Sequence, residues 1–178
     1  VIAYPTEGVW GLGCSPACEQ AVMRILRIKQ RSVKQGLILV AGSIDQFAPF
    51  LEGLNQDQLQ RLQLSWPGPV TFLVPDRGVS PDFIRGDHVT VALRVSAHPV
   101  VQSLCQMLGG PMVSTSANRS GEPAAISESA VAEQFAGAGA FCAAFLGDIE
   151  FLWRQGRDDI GVFGILGHGK LLALCCAY

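Results

Sequence analysis

Long apolar runs are missing from this 178-residue sequence. None reaches the roughly 18 residues of a membrane span, and the apolar stretch near the end is broken by His168 and Lys170. Charge is also scarce, at 16% of residues with a net of −2, so composition alone points to no polyanionic partner. With 49% hydrophobic residues, 20 Gly and 10 Pro, the chain is neither disordered, collagenous nor a coiled coil. Six Cys, at 14, 18, 105, 142, 175 and 176, are too sparse for a disulfide scaffold and point to a reduced cytoplasm. Cys14 and Cys18 lack a second pair at the spacing of a zinc site, so no metal ligands are expected. No basic region or small-residue cleavage site follows Val1, so no signal peptide is expected. There is no internal repeat and no low-complexity linker, and a chain of this length is expected to form one domain with a substantial core.

What the sequence does contain is unevenly spread. Arg24, Arg27, Lys29, Arg31 and Lys34 fall within eleven residues, with no Asp or Glu between Glu19 and Asp45. A local charge of +5 on a mildly acidic chain is an anion-binding candidate, for phosphate or RNA, although a solvated helix face has the same pattern. Val1 to Tyr4 reads as a strand without a run-in, so upstream sequence is expected to be missing. Ser15 with Pro16 predicts a helix start, and Ala21, Val22, Ile25, Leu26 and Ile28 keep helical spacing to about Lys29. A buried strand over 37–41 follows, then two short helices, about 43–51 and 55–65. The turn Trp66-Pro67-Gly68-Pro69 launches a strand over 70–74, and 89–95 is another. Pro99 opens a helix to about Leu108, with His98 at its start; 112–115 is a strand, and Ser127 caps a helix to Phe135. His88 and His168 have no evident partners. Alternating strands and helices predict an α/β sheet with helices packed on it.

Three segments carry chemistry. In Tyr4-Pro5-Thr6-Glu7-Gly8-Val9-Trp10-Gly11-Leu12-Gly13, glycines at 8, 11 and 13 allow backbone to approach a ligand, as loops at strand ends do in α/β sheets. Lys29-x-Arg31 places a point charge beside a planar fork, a pair suited to a polyphosphate. Ser114-Thr115-Ser116-Ala117-Asn118 follows a strand with three hydroxyls and an amide able to bind phosphate, ribose or a base edge; a polar turn looks alike.

These segments, with Trp66-Pro67-Gly68-Pro69-Val70-Thr71-Phe72 and with Val91-Ala92-Leu93-Arg94-Val95 followed by His98-Pro99, resemble the YrdC family of threonylcarbamoyl-AMP synthases. Five blocks stand in the family's order and at its spacings across about residues 1–137. The resemblance implies a single-domain α/β fold, a twisted mixed sheet with packed helices around a basic cleft. It also implies condensation of L-threonine, bicarbonate and ATP into L-threonylcarbamoyladenylate, with release of diphosphate. Mg²⁺ is expected with ATP, and no cofactor is expected to be tightly bound. Partner transferase proteins then carry the threonylcarbamoyl group to tRNA beside the anticodon, and double-stranded RNA binding is reported in the family. By matching motif positions, Lys29 and Arg31 are expected at the nucleotide phosphates as the catalytic cations. Ser116 and Asn118 are expected to hold nucleotide, Thr6 to touch threonine, and Arg94 to pair with its carboxylate. Because the nucleophile belongs to the substrate, no Ser-His-Asp or Cys-His set is needed, and catalysis rests on positioning and on cations. Lys29 and Arg31 stand where the helix gives way to loop, so neither is expected to matter to the core. An RNA-binding module using the same cleft without catalysis is the alternative reading; Thr6 and Arg94 have no evident use in it.

Residues 141–178 depart from the family, leaving 1–140 as the YrdC-like domain. The tail lacks the family's Pro-Ser-x-Ile segment, so a shifted reading frame is one explanation, and ATP binding is expected to survive better than turnover. Gly164-x-x-x-x-Gly169-Lys170 matches most of a phosphate-binding loop, but Leu171 stands where Ser or Thr must hold Mg²⁺, so no such loop is expected.

Overall fold

The computed structural model describes residues 1–136 and, beyond them, the backbone of strands at 141–142, 163–166 and 170–173. Seven strands make one mixed sheet: β1 (Ile2–Tyr4), β2 (Gly11–Cys14), β3 (Ile38–Ala41), β4 (Phe72–Pro75), β5 (Thr90–Val95), β6 (Met112–Ser116) and β7 (Phe141–Cys142). Their spatial order is β4-β5-β3-β6-β2-β1-β7. The β3–β5 and β1–β7 pairs are parallel; the other neighbours are antiparallel. Among the described residues, six helices accompany the sheet: α1 (Glu19–Lys29), α2 (Ala48–Leu51), α3 (Gln56–Ser65), α4 (Asp82–Arg85), α5 (Pro99–Leu108) and α6 (Glu128–Gln134). Among the described residues, no helix is long and apolar enough to cross a membrane. A separate antiparallel pair joins β8 (Phe163–Leu166) to β9 (Lys170–Ala173). Lys170 thus opens a strand, whereas the lysine of a phosphate-binding loop stands at a helix start.

The pleat of β3 and β5 decides what each face does. Val91, Leu93 and Val95 point one way with Leu39 and Ala41, and meet Val22, Ile25 and Leu26 of α1 in the largest core cluster. Phe47 and Trp66 belong to the same cluster, with ring centroids 5.8 Å apart. On the opposite face, Val40 joins Tyr4, Met112 and the α5 residues Val101, Leu104 and Cys105. α5 covers only part of this face. Ile38 of β3 and Arg94 of β5 lie beyond it and border a cleft. A third cluster, with Leu12, Ala117, Val131 and Phe135, seats α6.

The α/β reading holds, with local corrections. α1 starts at Glu19 with Cys18 as its N-cap, not at Ser15. Ser15 instead closes the preceding turn, accepting Cys18 N–H at its carbonyl. The helix expected over 43–51 is split into a 3-10 turn at Ile44–Phe47 and α2, which carries Pro49 in its first turn. β4 begins at Phe72 rather than Val70, whose carbonyl accepts the Trp66 indole N–H at 2.7 Å. His98 does start α5, its Nδ1 accepting from Val100 N, and Ser127 does cap α6.

Gly11 and Gly13 are required by packing, and Gly11 also lines the cleft that Ile38 and Arg94 border. Gly11 and Gly13 form β2, where a Cβ on Gly13 would lie 2.5 Å from Met112 Cε, 2.6 Å from the Val113 carbonyl oxygen and 2.9 Å from the Tyr4 ring. The carbonyl cannot retreat without opening the β2–β6 ladder, in which Cys14 pairs with Val113. Gly13→Ala is therefore expected to destabilise by about 1–3 kcal/mol in urea denaturation. Gly8→Ala, where a Cβ meets nothing within 4 Å, is expected to change stability by less than about 0.5 kcal/mol.

Candidate functional site

The open part of the sheet face becomes a cleft because the chain between β1 and β2 arches over it. Thr6, Glu7, Val9 and Trp10 of this connection form one wall of a cavity of about 190 Å³. Gly11 of β2, Ile38 and Val40 of β3, Thr71 just before β4, Arg94 and Ser96 at the end of β5, Val101 of α5 and Ser114 to Ser116 of β6 supply the rest. Its charges are Arg94 and Glu7, which pair at 2.8 Å, with side chains about a quarter and a third exposed. Arg94 also donates Nε to the Gly68 carbonyl at 3.1 Å, so the Trp-Pro-Gly-Pro turn props the guanidinium. Glu7 accepts from Ser96 Oγ at 2.7 Å and Ala97 N at 3.0 Å. Burial pushes the Glu7 carboxyl up, but the Ser96 hydrogen bond, backbone donors and Arg94 outweigh it, holding the group below its ordinary range.

Of the residues singled out in the sequence, Thr6, Arg94 and Ser116 line this cavity. Thr6 Oγ1 donates to Val9 O at 2.6 Å, which curls the wall back on itself. Ser116 Oγ donates to Asn118 Oδ1 at 2.6 Å, joining the two nucleotide candidates, and Asn118 Nδ2 donates to Glu122 O. Arg31 sits after α1 and donates Nη2 to the Gly36 carbonyl at 3.0 Å. Among the described residues, no group of three or more His, Cys, Asp or Glu gathers as a metal site.

Lys29 overturns the expectation that it is dispensable to the core. It is 3% exposed, and its ammonium donates to Ser116 O at 2.5 Å, Asn118 O at 2.8 Å and Asn118 Oδ1 at 3.0 Å. Ser120 N returns a bond to Lys29 O at 2.9 Å. An ammonium has three N–H groups, and all three are directed at the turn after β6. Burial, helped by the neighbouring Arg31, pushes the Lys29 pKa down to about 8. Helical spacing could not show this, because Lys29 follows α1 on the side that meets β6 rather than on its solvent side.

Glu7 and Ser96 were missed. Glu7 stood inside the Pro-Thr-Glu block without a chemical role of its own, and Ser96 beyond the strand pattern. A second polar contact, Tyr4 OH donating to Ser114 Oγ at 2.6 Å, was also invisible to a pattern that read Tyr4 as strand core.

Against this geometry, a family model described as "Telomere recombination", for Sua5, YciO and YrdC proteins, matches residues 1–143. The chain belongs to the Sua5/YciO/YrdC family. It is similar to the threonylcarbamoyl-AMP synthase of Chromohalobacter salexigens, 53% identical over 135 residues, 76% of this chain and 73% of that one. The structure of Pyrococcus abyssi Sua5 complexed with L-threonine aligns with a TM-score of 0.73 at 34% identity. That alignment covers 79% of this chain and 42% of the longer Sua5 chain. Escherichia coli YciO, at 24% identity and a TM-score of 0.70, shares the fold over 80% of this chain and 69% of its own.

Lys29 in this family member gives a stability prediction. Lys29→Ala takes the ammonium from Asn118 O and leaves Ser116 O and Asn118 Oδ1 with only Asn118 N and Ser116 Oγ, so it is expected to destabilise by about 1–3 kcal/mol at neutral pH, against less than about 1 kcal/mol for Arg31→Ala, by urea denaturation. Lys29 holds its proton less tightly folded (about 8) than at its ordinary 10.5. Between those values the unfolded chain binds more protons, so the Lys29 contribution to stability grows as pH rises from 8 towards 10.5. The stability gap between wild type and Lys29→Met is expected to move in favour of wild type over that window.

Proposed function

We propose that the chain is an L-threonylcarbamoyladenylate synthase, a nucleotidyltransferase that uses L-threonine, bicarbonate and MgATP. The observation that carries the reading is the cleft itself. It brings Thr6 and Arg94, the threonine candidates, into one cavity with Ser116, the nucleotide candidate. Threonine's amine and bicarbonate give a carbamate and water. The carbamate oxygen then attacks the α-phosphorus of ATP, the bond to the β-phosphate oxygen breaks, and diphosphate leaves. Nothing in this sequence needs a covalent enzyme intermediate, which fits a site built from hydrogen-bond donors and cations.

In this reading Arg94 receives the threonine carboxylate and Thr6 lies against the same substrate. Ser116 and Asn118 hold the nucleotide, Arg31 offsets phosphate charge, and Lys29 supports the Ser116–Asn118 turn as well as lending its charge. Mg²⁺ arrives on ATP as part of the substrate. The product is passed to partner threonylcarbamoyl transferase proteins for tRNA modification in the cytoplasm. The exposed Arg27 and Lys34 offer tRNA or double-stranded RNA a basic edge. The synthase unit is residues 1–140, and the tail after it falls outside the described residues for most of its length.

The test compares the 178-residue chain with a chimera carrying a family C-terminus with Pro-Ser-x-Ile after residue 140. Both are incubated with L-threonine, bicarbonate, Mg²⁺ and ATP. The chain is expected to bind ATP with little turnover, and the chimera to release diphosphate only when threonine is present. Threonine-independent release, or none from a folded chimera, would sink the reading.

A further inference from the structure

Sheet order separates Glu7 from its partners. The connection that carries it leaves β1, while Arg94 lies on β5, with β2, β6 and β3 between them. Four inter-strand spacings amount to roughly 19 Å. Yet one carboxylate closes the gap. Oε2 accepts from Arg94 Nη2 at 2.8 Å, while Oε1 accepts from Ser96 Oγ at 2.7 Å and Ala97 N at 3.0 Å. The two oxygens therefore do different work. Oε1 fixes the arching connection to the end of β5, and Oε2 fixes the guanidinium.

Arg94 is a long side chain that faces a cavity, and such a group is costly to order for each binding event. Here it is already held at two of its N–H groups, by Gly68 O and Glu7 Oε2, before any ligand arrives. A planar guanidinium held along one edge presents its other donors in a fixed direction, which suits bidentate capture of a small carboxylate.

We propose that Glu7 is a positioning residue, which presets the Arg94 guanidinium as a carboxylate receptor and ties the Thr6 wall of the cleft to it. The part that names threonine as the carboxylate rests on the synthase reading; the preorganisation of Arg94 does not. Glu7 touches no reacting atom. It acts through Arg94 and through the wall it anchors.

Glu7→Gln separates the two functions of the side chain. A Gln carbonyl oxygen still accepts from Ser96 and Ala97, so the connection stays latched. Its amide NH₂ then faces Arg94 Nη2, donor against donor, and the guanidinium is released. The experiment uses the 178-residue chain with ¹⁵N-labelled arginine, following Arg94 side-chain signals by NMR in the free protein, and measures L-threonine and ATP affinities by calorimetry. Arg94→Lys identifies the Arg94 signals.

The expected result has three parts. In wild type, rotation about the Arg94 Nε–Cζ bond is slow, and in Glu7→Gln it becomes at least about tenfold faster. Threonine affinity falls about tenfold or more, the size of effect expected of a misplaced binding group, while ATP affinity stays within about twofold. Glu7→Asp, too short to span both partners but still an acceptor for Arg94, recovers part of the threonine affinity.

Unchanged Arg94 dynamics in Glu7→Gln would overturn the proposal whatever the ligand data show. Equal losses for threonine and ATP would overturn it too, since they would mark a general collapse of the cleft. Released Arg94 in a protein that never binds threonine would leave the positioning role standing and defeat the synthase reading instead.

Discussion

One buried ammonium decides how this fold can offer a polar turn to solvent at the end of β6. β6 ends at Ser116, and the chain must then reverse, exposing carbonyls that no strand partner satisfies. Lys29 meets three of the oxygens there. It can reach them because α1 ends at Lys29, and its C-cap Gln30 has a left-handed backbone (φ 53°) that turns the Gln30 N–H back onto Arg27 and Leu26 carbonyls. The helix thus stops with its last side chain under the β6 exit. Burying a lysine is costly, and only oxygen acceptors on all its donors make it tolerable. The depressed pKa reflects that cost, while the contacts add Lys29 to the bonds that hold the turn, from Asn118 N to Ser116 O and from Ser116 Oγ to Asn118 Oδ1.

The same economy separates core from site along the strands. β5 reads Thr-Val-Ala-Leu-Arg-Val, and its period of two sends Val91, Leu93 and Val95 into the α1 core and Arg94 to the cleft. β2 solves a different problem. It lies between β1 and β6 beside the Tyr4 ring, and a side chain at Gly13 would strike the ring and the β6 backbone. Tyr4 fills that space and directs its hydroxyl to Ser114, on the cleft wall. Burial drives the phenol pKa upward, so the group remains a hydroxyl donor across ordinary pH. A glycine pair that looks like a ligand motif is here the condition for a buried aromatic ring.

The legible parts of the sequence were those whose cause is local. Apolar alternation in β5, helical spacing in α1, the His98 and Ser127 caps and the helix-forbidding Trp-Pro-Gly-Pro turn all act within a few residues; the caps match, while α1 starts four residues later than Ser15 and the strand after the turn two residues later than Val70. Thr6, Arg94 and Ser116 were found through motif order and do share one cavity. What was hidden is non-local. The β2 strand looks like a glycine loop because half of its pairing, the β6 side, comes from about a hundred residues away. Glu7 is one acidic residue among fifteen until Arg94 and Ser96 arrive beside it. Lys29 had the right motif and an incomplete role: its charge was legible, and its burial under a distant turn was not.

Counting charges within this arrangement shows what the site must receive from outside. Arg94 is paired with Glu7, so that corner of the cleft is close to neutral and suits a zwitterion such as an amino acid better than a polyanion. Lys29 spends its donors on protein oxygens, and Lys34 lies beside Asp87 at 3.7 Å, both largely exposed. Arg31 gives donors to backbone carbonyls but meets no carboxylate within ion-pair range among the described residues. A triphosphate carries about four negative charges at neutral pH, more than one guanidinium and the field of a buried ammonium can offset in a half-open site. Under the synthase reading, the divalent cation that travels with ATP is therefore a required part of the charge balance. The protein's own cations then have a narrower role. Under the same reading Arg31 would orient phosphate oxygens, with most of the neutralisation left to the metal the substrate brings.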